Sequence, residues 1–139
     1  MIAGSESAET FTVHIDRFDH IVLTVRNIPA TVEFYTTVLG MEARKFGDGR
    51  MALHFGRQKI NLHEAGNVID VNVLHAKPGS ADICFITDVP MTQVQSHLAS
   101  CGVPVITGPV ARTGAIGELT SVYVRDPDEN LLEIANLLV

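Results

Sequence analysis

The chain has 139 residues, which fits a single domain of ordinary size with its own hydrophobic core. Hydrophobic residues make up 46% and charged residues 19%, a composition typical of a globular chain and not of a disordered one. The 16 acidic and 10 basic residues give a formal net charge of -6 without a cluster of Lys and Arg, so we expect no nucleic-acid surface.

Residues 1–16 contain neither a basic start nor a long apolar run, so the sequence predicts a flexible N-terminal tail and no signal peptide. No stretch approaches the roughly 18 consecutive apolar residues that a membrane helix needs, so we expect a cytoplasmic protein with no membrane partner. Cys84 and Cys101 form no CxxC pair, which favours reduced thiols in an intracellular protein.

Residues 17–66 predict a first module of one strand, one helix and three further strands. The alternation in FDHIVLTV is typical of a strand with His20, Val22 and Thr24 on one face. Asn27 is placed to cap the helix, which Gly40 ends. The three following strands are expected near Glu42 to Phe46, Arg50 to Phe55 and Lys59 to Glu64.

A connector at residues 67–79, broken by Gly and Pro, leads to a second module at residues 80–139. The connector is either irregular throughout or carries one short buried strand. In the second module ADICFIT indicates a strand, Asp88-Val89-Pro90 a capped helix entry, and MTQVQSHLASCG a helix that Gly102 ends. The last strands are expected at Val105 to Gly108, Leu119 to Val124 and Asn130 to Asn136.

The two modules look like copies of one unit. The stretch DHIVLTVRNIPATVEFYTTVLGMEA aligns with ADICFITDVPMTQVQSHLASCGVPV, and KINLHEA aligns with NLLEIAN. Few identities survive, but the element order, the helix-opening prolines and the helix-closing glycines repeat. We therefore predict an α+β fold in which two tandem strand-helix-three-strand (βαβββ) modules form a curved mixed sheet around a cavity.

The alignment brings four polar side chains to equivalent inward positions, with His20 opposite Asp82 and Asn61 opposite Glu133. Leaving a buried polar group unpaired costs about 1–3 kcal/mol, so these groups need partners. A divalent transition metal satisfies several such groups together, and imidazole and carboxylate donors suit Zn, Mn, Ni, Co or Fe. The sequence predicts a metal site centred on His20 and Glu133, with Asp82 as a further ligand or as a turn residue at its strand start.

The remaining ligand is either His63 or Asn61, which share one strand face in KINLHE. Imidazole is the better transition-metal ligand, and a slip of two residues in the strand register would complete a set of His20, His63 and Glu133. We favour His63 and keep Asn61 as the alternative. A core role satisfied by hydrogen bonds is the competing interpretation for one inward-facing His.

Three features together resemble the vicinal oxygen chelate superfamily, which includes glyoxalase I, fosfomycin-resistance proteins, extradiol dioxygenases and bleomycin-binding proteins. They are the His of the first strand, the helix block NIPATVEFYTTVLGM and the ending DPDENLLE. KINLHE, PGSADICFIT and GPVARTGAIGE further resemble a subfamily of glyoxalase-domain-containing or virulence-related proteins. The resemblance implies one divalent metal held by His20, by Asn61 or His63, by Asp82 in place of the usual His, and by Glu133.

The resemblance also implies that two neighbouring oxygens of a small substrate chelate the metal, which stabilises negative charge. Glu133 or a bound hydroxide then moves a proton, and we take Glu133 as the catalytic residue. Arg112, in the Gly-flanked loop GPVARTGAIGE, is a candidate contact for a carboxylate or phosphonate. Ser121 and Tyr123 share a strand face beside Glu133 and are expected to line the same cavity, although Tyr123 fits a core position equally well.

These observations favour a metal-dependent enzyme of glyoxalase type, an isomerase-lyase, a thiol transferase or a hydrolase, acting on a small molecule. The alternative is a metal-free binding protein of bleomycin-resistance type. An extradiol dioxygenase is a third hypothesis, weakened because those enzymes typically join two such domains in one chain. Because strand edges need cover, we expect a homodimer, and the site could be completed across its interface.

Overall fold

The structure is a computed structural model that describes residues 12–67 and 69–139. Within these ranges eight strands and two helices follow the predicted order, and no helix is long and apolar enough to cross a membrane. The elements are β1 (His20–Val25), α1 (Ile28–Thr37), β2 (Glu42–Phe46), β3 (Arg50–Phe55), β4 (Gln58–Glu64), β5 (Asp82–Ile86), α2 (Met91–Ser100), β6 (Thr107–Thr113), β7 (Glu118–Arg125) and β8 (Leu131–Leu137).

The strands form two four-stranded sheets, ordered β1-β4-β3-β2 in the first sheet and β5-β8-β7-β6 in the second. In each sheet the first strand of the module pairs in parallel with its last strand, and the other pairs are antiparallel. Each parallel pair is connected through a helix and an antiparallel meander, as parallel strands require a long connection. The predicted α+β architecture of two βαβββ modules is therefore confirmed.

The two sheets also share one strand register. Val22 of β1 lies opposite Asn61 of β4, and Cys84 of β5 lies opposite Glu133 of β8. The slip of two residues that would bring His63 to this position is absent, because His63 lies one full repeat farther along β4. Asn61 is therefore the counterpart of Glu133 in the first module.

The two helices begin differently. Asn27 caps α1 as predicted, since its side chain accepts a hydrogen bond of 2.7 Å from the backbone N–H of Ala30. The predicted capped entry to α2 is wrong in its detail. Pro90 occupies the N-cap position, and it has no side-chain acceptor, so α2 starts without a side-chain cap. Asp88 lies two residues before that position and is exposed.

Strand β6 is longer than its predicted range of Val105 to Gly108. It continues to Thr113 through an irregularity in its pairing with β7 between Thr107 and Val110. Gly108 sits there at φ 110°, and a Cβ at that position would collide with the backbone of Ser121. The Gly-Pro pair marks a bulge within a strand, and Arg112 consequently lies on β6 and not in a loop.

The predicted tail and connector fall partly outside the described residues. Residues 1–11 and 68 are not described, and residues 12–16 carry no helix or strand. The described connector residues, 67 and 69–79, carry none either. Connector residues with exposed apolar side chains are Val71, Val73 and Leu74.

The two modules pack against each other through the faces that carry the helices. Alternate residues of β1 and β8, such as Leu23 and Leu132, share one hydrophobic core with Val94 and Leu98 of α2. Beside the Arg26–Asp128 ion pair, three further contacts among the described residues join the modules. They are the Tyr35 hydroxyl on Asp126 Oδ2 (2.6 Å), His97 Nε2 on the Val38 carbonyl oxygen (2.8 Å), and an edge-to-face pair of Phe55 and Phe85 with centroids 5.5 Å apart.

Since successive side chains of a strand point to opposite faces, the second face of each sheet turns away from this shared core. We call these the outer faces. The outer face of the first sheet carries His20, Val22, Phe46, Arg50, Lys59, Asn61 and His63. The outer face of the second sheet carries Asp82, Cys84, Arg112, Ser121, Tyr123 and Glu133.

Candidate functional site

His20 opens β1 on the outer face of the first sheet, with 41% of its side chain exposed. Its Nδ1 lies 2.8 Å from Asp19 Oδ2. The hydrogen bond to His20 lowers the pKa of Asp19, so the carboxylate is ionised at neutral pH and orients the ring. A carboxylate on one imidazole nitrogen is the usual second partner of a metal-binding His, and it leaves Nε2 available.

Glu133 lies in the middle of β8 on the outer face of the second sheet. Its Oε2 accepts a 2.6 Å hydrogen bond from the hydroxyl of the buried Ser121, which fixes the carboxylate. Tyr123 and Cys84 lie directly opposite Glu133 on its two neighbouring strands. Burial first, and then the Glu133 charge, raise the pKa of the Cys84 thiol to about 11, so this thiol stays protonated at neutral pH.

Asn61 and His63 are each only 5% exposed on β4. Asn61 Oδ1 and His63 Nδ1 are buried without a hydrogen-bond partner among the described residues. His63 Nε2 lies 3.3 Å from the Arg50 guanidinium, and because a guanidinium only donates, Nε2 is the acceptor and Nδ1 carries the proton. His63 therefore has no free lone pair for a metal, whereas Asn61 offers its unpaired carbonyl oxygen.

Asp82 is the first residue of β5 and is exposed on the outer face of the second sheet. It lines one open cleft together with His20, while His63 lines a smaller pocket beneath the connector and Glu133 borders neither. In the described part of a single chain, no three His, Cys, Asp or Glu side chains lie together where a metal could be held. One chain thus presents the predicted ligands on two separate outer faces.

Arg112 and Tyr123 form a pair on the outer face of the second sheet. Arg112 Nε donates to the Tyr123 hydroxyl over 2.9 Å, and its guanidinium carbon lies 5.4 Å from the Tyr123 ring centre. A second guanidinium nitrogen donates to the Ala111 carbonyl oxygen. The pair holds Arg112 two strands away from Glu133, with donors left over for an anionic group.

The cleft that contains His20 and Asp82 has a volume of about 1390 Å³. It runs between β1 and β5, the edge strands of the two sheets, and reaches the helices. Its walls are mainly apolar and include Ile21, Phe55, Phe85 and Leu98.

Sequence reasoning missed two basic residues, Arg50 and Lys59, on the outer face of the first sheet. Both lie over the ring of Phe46, at 4.7 Å and 4.0 Å from its centre. The alternation in KINLH did contain half of this signal, because it places Lys59 on the same face as Asn61 and His63. That β2 and β3 bring Phe46 and Arg50 to the same face follows only from the pairing of the strands.

Comparison with known proteins shows what the chain resembles. The family model described as Glyoxalase/Bleomycin resistance protein/Dioxygenase superfamily matches residues 17–134. Virulence protein STM3117 of Salmonella typhimurium is 49% identical over 91% of this chain and 88% of its own length. Glyoxalase domain-containing protein RDO1 of Mycosarcoma maydis is 48% identical over 97% of this chain and 76% of its own length.

Solved structures agree with the fold. Integron cassette protein VCH_CASS1 from the mobile metagenome of V. cholerae has 51% identity and a TM-score of 0.89, over 91% of this chain and 98% of its own. Lactoylglutathione lyase from Agrobacterium tumefaciens has 23% identity and a TM-score of 0.68, over 88% and 95% of the two chains. The antibiotic-binding protein TnmS3 from Streptomyces has 17% identity and a TM-score of 0.70, over 91% and 100%. The last two likenesses show a shared fold alone.

Proposed function

This chain belongs to the Glyoxalase/Bleomycin resistance protein/Dioxygenase superfamily, and from that premise we propose that it is a divalent-metal-dependent enzyme whose site is assembled from two copies of the chain. The reaction class is that of an isomerase-lyase, thiol transferase or hydrolase acting on a small substrate that chelates through oxygen. One observation carries the proposal. The buried, unpaired oxygen of Asn61 occupies the register position that the Glu133 carboxylate occupies in the other module.

The donor set fits a divalent transition metal. His20 Nε2 is oriented by Asp19, Glu133 is fixed by Ser121, and Asn61 Oδ1 needs a partner. The exposed carboxylate of Asp82 adds a further oxygen. One nitrogen and three oxygen donors suit the harder divalent ions better than a thiolate-seeking one. In this proposal Asn61 takes the place first considered for His63, which Arg50 engages.

The outer faces explain why two chains are needed. In one chain the two outer faces turn away from a shared core, so Asn61 and Glu133 lie on different faces. His20 and Asp82 border the same cleft, but the described part of one chain brings no third His, Cys, Asp or Glu to them. In a twofold dimer, the edge strand β1 of each chain would approach β5 of its partner. The first outer face of each chain would then lie beside the second outer face of the other, which makes two identical sites. Exposed apolar residues on these edges, Val22 and Ile86, would then be covered.

The residues of the chain have separable roles in such a site. A bound divalent ion supplies Lewis acidity toward the substrate oxygens. Glu133, held at Oε2 by Ser121, exchanges a proton with the substrate through Oε1. Arg112, steadied by Tyr123, offers its remaining N–H groups to an acidic substituent. Val22 and Ile86 bring apolar surface that excludes water from the joined faces.

Metal content after mixing two inactive variants tests the proposal. Elemental analysis of protein purified without chelator should find about one transition metal per chain, and His20→Ala and Glu133→Ala should each abolish binding. If the site spans two chains, unfolding and refolding the two variants together restores metal, because each heterodimer regains one intact His20 and Glu133 pair. A wild-type chain without metal, or variants that recover none on mixing, would refute the two-chain enzyme. Arg57→Ala, in an exposed turn, is the control that keeps full metal content.

The cleft favours one second candidate, a metal-free binding protein for small hydrophobic molecules. Its apolar walls and its volume of about 1390 Å³ would accommodate a drug-sized ligand. Under this alternative, hydrophobic ligands raise the melting temperature and divalent metals do not. A melting temperature that rises with divalent metals but not with hydrophobic ligands supports the enzyme. Both candidates fit a reducing, cytoplasmic compartment, because Cys84 and Cys101 are free thiols.

A further inference from the structure

Two basic side chains on the outer face of the first sheet share one aromatic ring. Lys59 Nζ lies 4.0 Å and the Arg50 guanidinium carbon 4.7 Å from the centre of Phe46. Among the described residues neither cation has a carboxylate within ion-pair distance. Arg44 on the same sheet, by contrast, is paired with Glu42 over 2.7 Å. Two positive charges at one ring repel each other, so a bound anion would stabilise the arrangement.

His63 gives a second indication, because it contacts one of the two cations, Arg50. Its Nε2 accepts from Arg50 over 3.3 Å and so holds the guanidinium in place. Its Nδ1–H is then a donor, and it is buried without an acceptor while the residue is only 5% exposed. That donor points away from the Arg50 side of the ring, so what His63 contributes to this site is the fixed position of the guanidinium.

We propose that Arg50 and Lys59 bind the dianionic head group of a substrate, with His63 positioning Arg50. Phosphate, phosphonate and paired carboxylates share this chemistry, since each carries two negative charges over several acceptor oxygens. This inference rests on the proposed function in one respect, because it takes the outer face of the first sheet as a wall of the active site. The contacts with Phe46 hold both cations in position. An anion can replace these contacts, because a cation binds a charged oxygen more strongly than an aromatic ring.

The charge of the whole chain makes this local feature selective. At a formal net charge of -6 the protein repels anions in general. Arg50 and Lys59 create a positive area on the first outer face. In the proposed dimer, the second outer face of the partner chain contributes the carboxylates of Asp82 and Glu133. A substrate with one anionic end and one metal-chelating end matches the two halves.

Titration calorimetry with simple anions tests the inference on the full chain. Inorganic phosphate and malonate separate a phosphoryl from a dicarboxylate head group, and acetate is the single-charge control. The wild type should bind phosphate or malonate at least about tenfold more tightly than acetate, which corresponds to about 1.4 kcal/mol. Arg50→Gln and Lys59→Gln should each weaken that binding about tenfold or more. Lys45→Gln removes the same charge from the exposed opposite side of β2, beside Phe46, and should leave it unchanged.

Glu133→Ala separates this inference from the proposed function. It should lose metal but keep anion binding, because the two basic residues lie on the other outer face. No preference for dianions, an equal effect of Lys45→Gln, or loss of anion binding in Glu133→Ala alone would overturn the anion site. A chain that binds metal without dianions refutes only this inference, and one that binds dianions without metal refutes only the enzyme. Unchanged melting temperatures of the exposed-site variants exclude unfolding as the cause.

Discussion

In the first module the outer face carries Arg50 and Lys59 beside Asn61, and in the second module the equivalent face carries Asp82 and Glu133. The strand order and the register are nevertheless the same. The shared hydrophobic core constrains the inner faces, since every inward change alters packing there. The outer faces are free of that constraint, so a duplicated backbone supports two halves with different charged side chains.

The largest expected effect concerns the turns before the last strand of each module. In the second module Asp126, 5% exposed, accepts four hydrogen bonds, from Tyr35 Oη, the Asp128 and Asn130 backbone N–H groups and Asn130 Nδ2. Asp126→Ala would leave these donors buried and unpaired, so the free energy of unfolding should fall by about 4 kcal/mol. Urea denaturation measures it. Arg57→Ala, in the exposed counterpart turn of the first module, should change it by less than about 0.5 kcal/mol.

The equivalent positions Val22 and Cys84 offer a chemical comparison of the two outer faces. Because burial and Glu133 raise the pKa of Cys84 to about 11, little thiolate exists at pH 8. A thiol placed by Val22→Cys, opposite the neutral Asn61, should react with iodoacetamide about tenfold to a hundredfold faster. Each thiol is measured with the other cysteines changed to Ser. Glu133→Gln should accelerate Cys84, and equal rates at both positions would contradict the charge difference.

Alkaline pH probes the contact that joins the modules. Burial first, and then Asp126, raise the pKa of Tyr35 far above its ordinary value of 10.0. The folded chain therefore keeps the hydroxyl proton while the unfolded chain releases it above pH 10. The stabilisation is fully present below pH 10 and declines above it, by about 1.4 kcal/mol per pH unit. Between pH 10 and pH 11, where only part of this slope is reached, the wild type should lose about 1 kcal/mol more unfolding free energy than Tyr35→Phe. If the unfolding free energies of the wild type and Tyr35→Phe declined equally over this range, Tyr35 would ionise in the folded chain as readily as in the unfolded chain.

The helix starts give the smallest effect. Asn27 caps α1 through Ala30 N, whereas α2 begins at Pro90 without a side-chain cap. Asn27→Ala should lower the free energy of unfolding by about 1 kcal/mol, and Asp88→Ala should leave it within about 0.5 kcal/mol. Thermal denaturation of the two variants is sufficient for the comparison. A larger loss for Asp88→Ala would mean that it caps α2 in solution.

Much of the fold could be predicted from local sequence. The two-residue alternation placed His20 and Val22 on one face, and Asn27 marked the start of α1, which ends at Thr37, three residues before the predicted Gly40. The prediction of β6 was too short because Gly108 and Pro109 are ordinary turn residues. They belong to a bulge that only the pairing with β7 reveals.

The candidate site was less accessible to sequence reasoning. The alignment of the modules placed Asn61 opposite Glu133, and the register agrees. The preference for His63 rested on the intrinsic donor strength of imidazole. It did not include Arg50, which comes from another strand and engages the ring. The ligand set itself remains a prediction that metal analysis tests.

By itself the sequence determined the order of the elements, the duplication and the face on which each side chain lies, because helix and strand periodicity and end signals are local properties of the chain. The tertiary structure decided which faces meet. Packing of the helix-bearing faces placed His20 and Glu133 on separate outer faces and drew Lys59 and Arg50 over Phe46. Such contacts join residues far apart in the chain, and no local pattern encodes them.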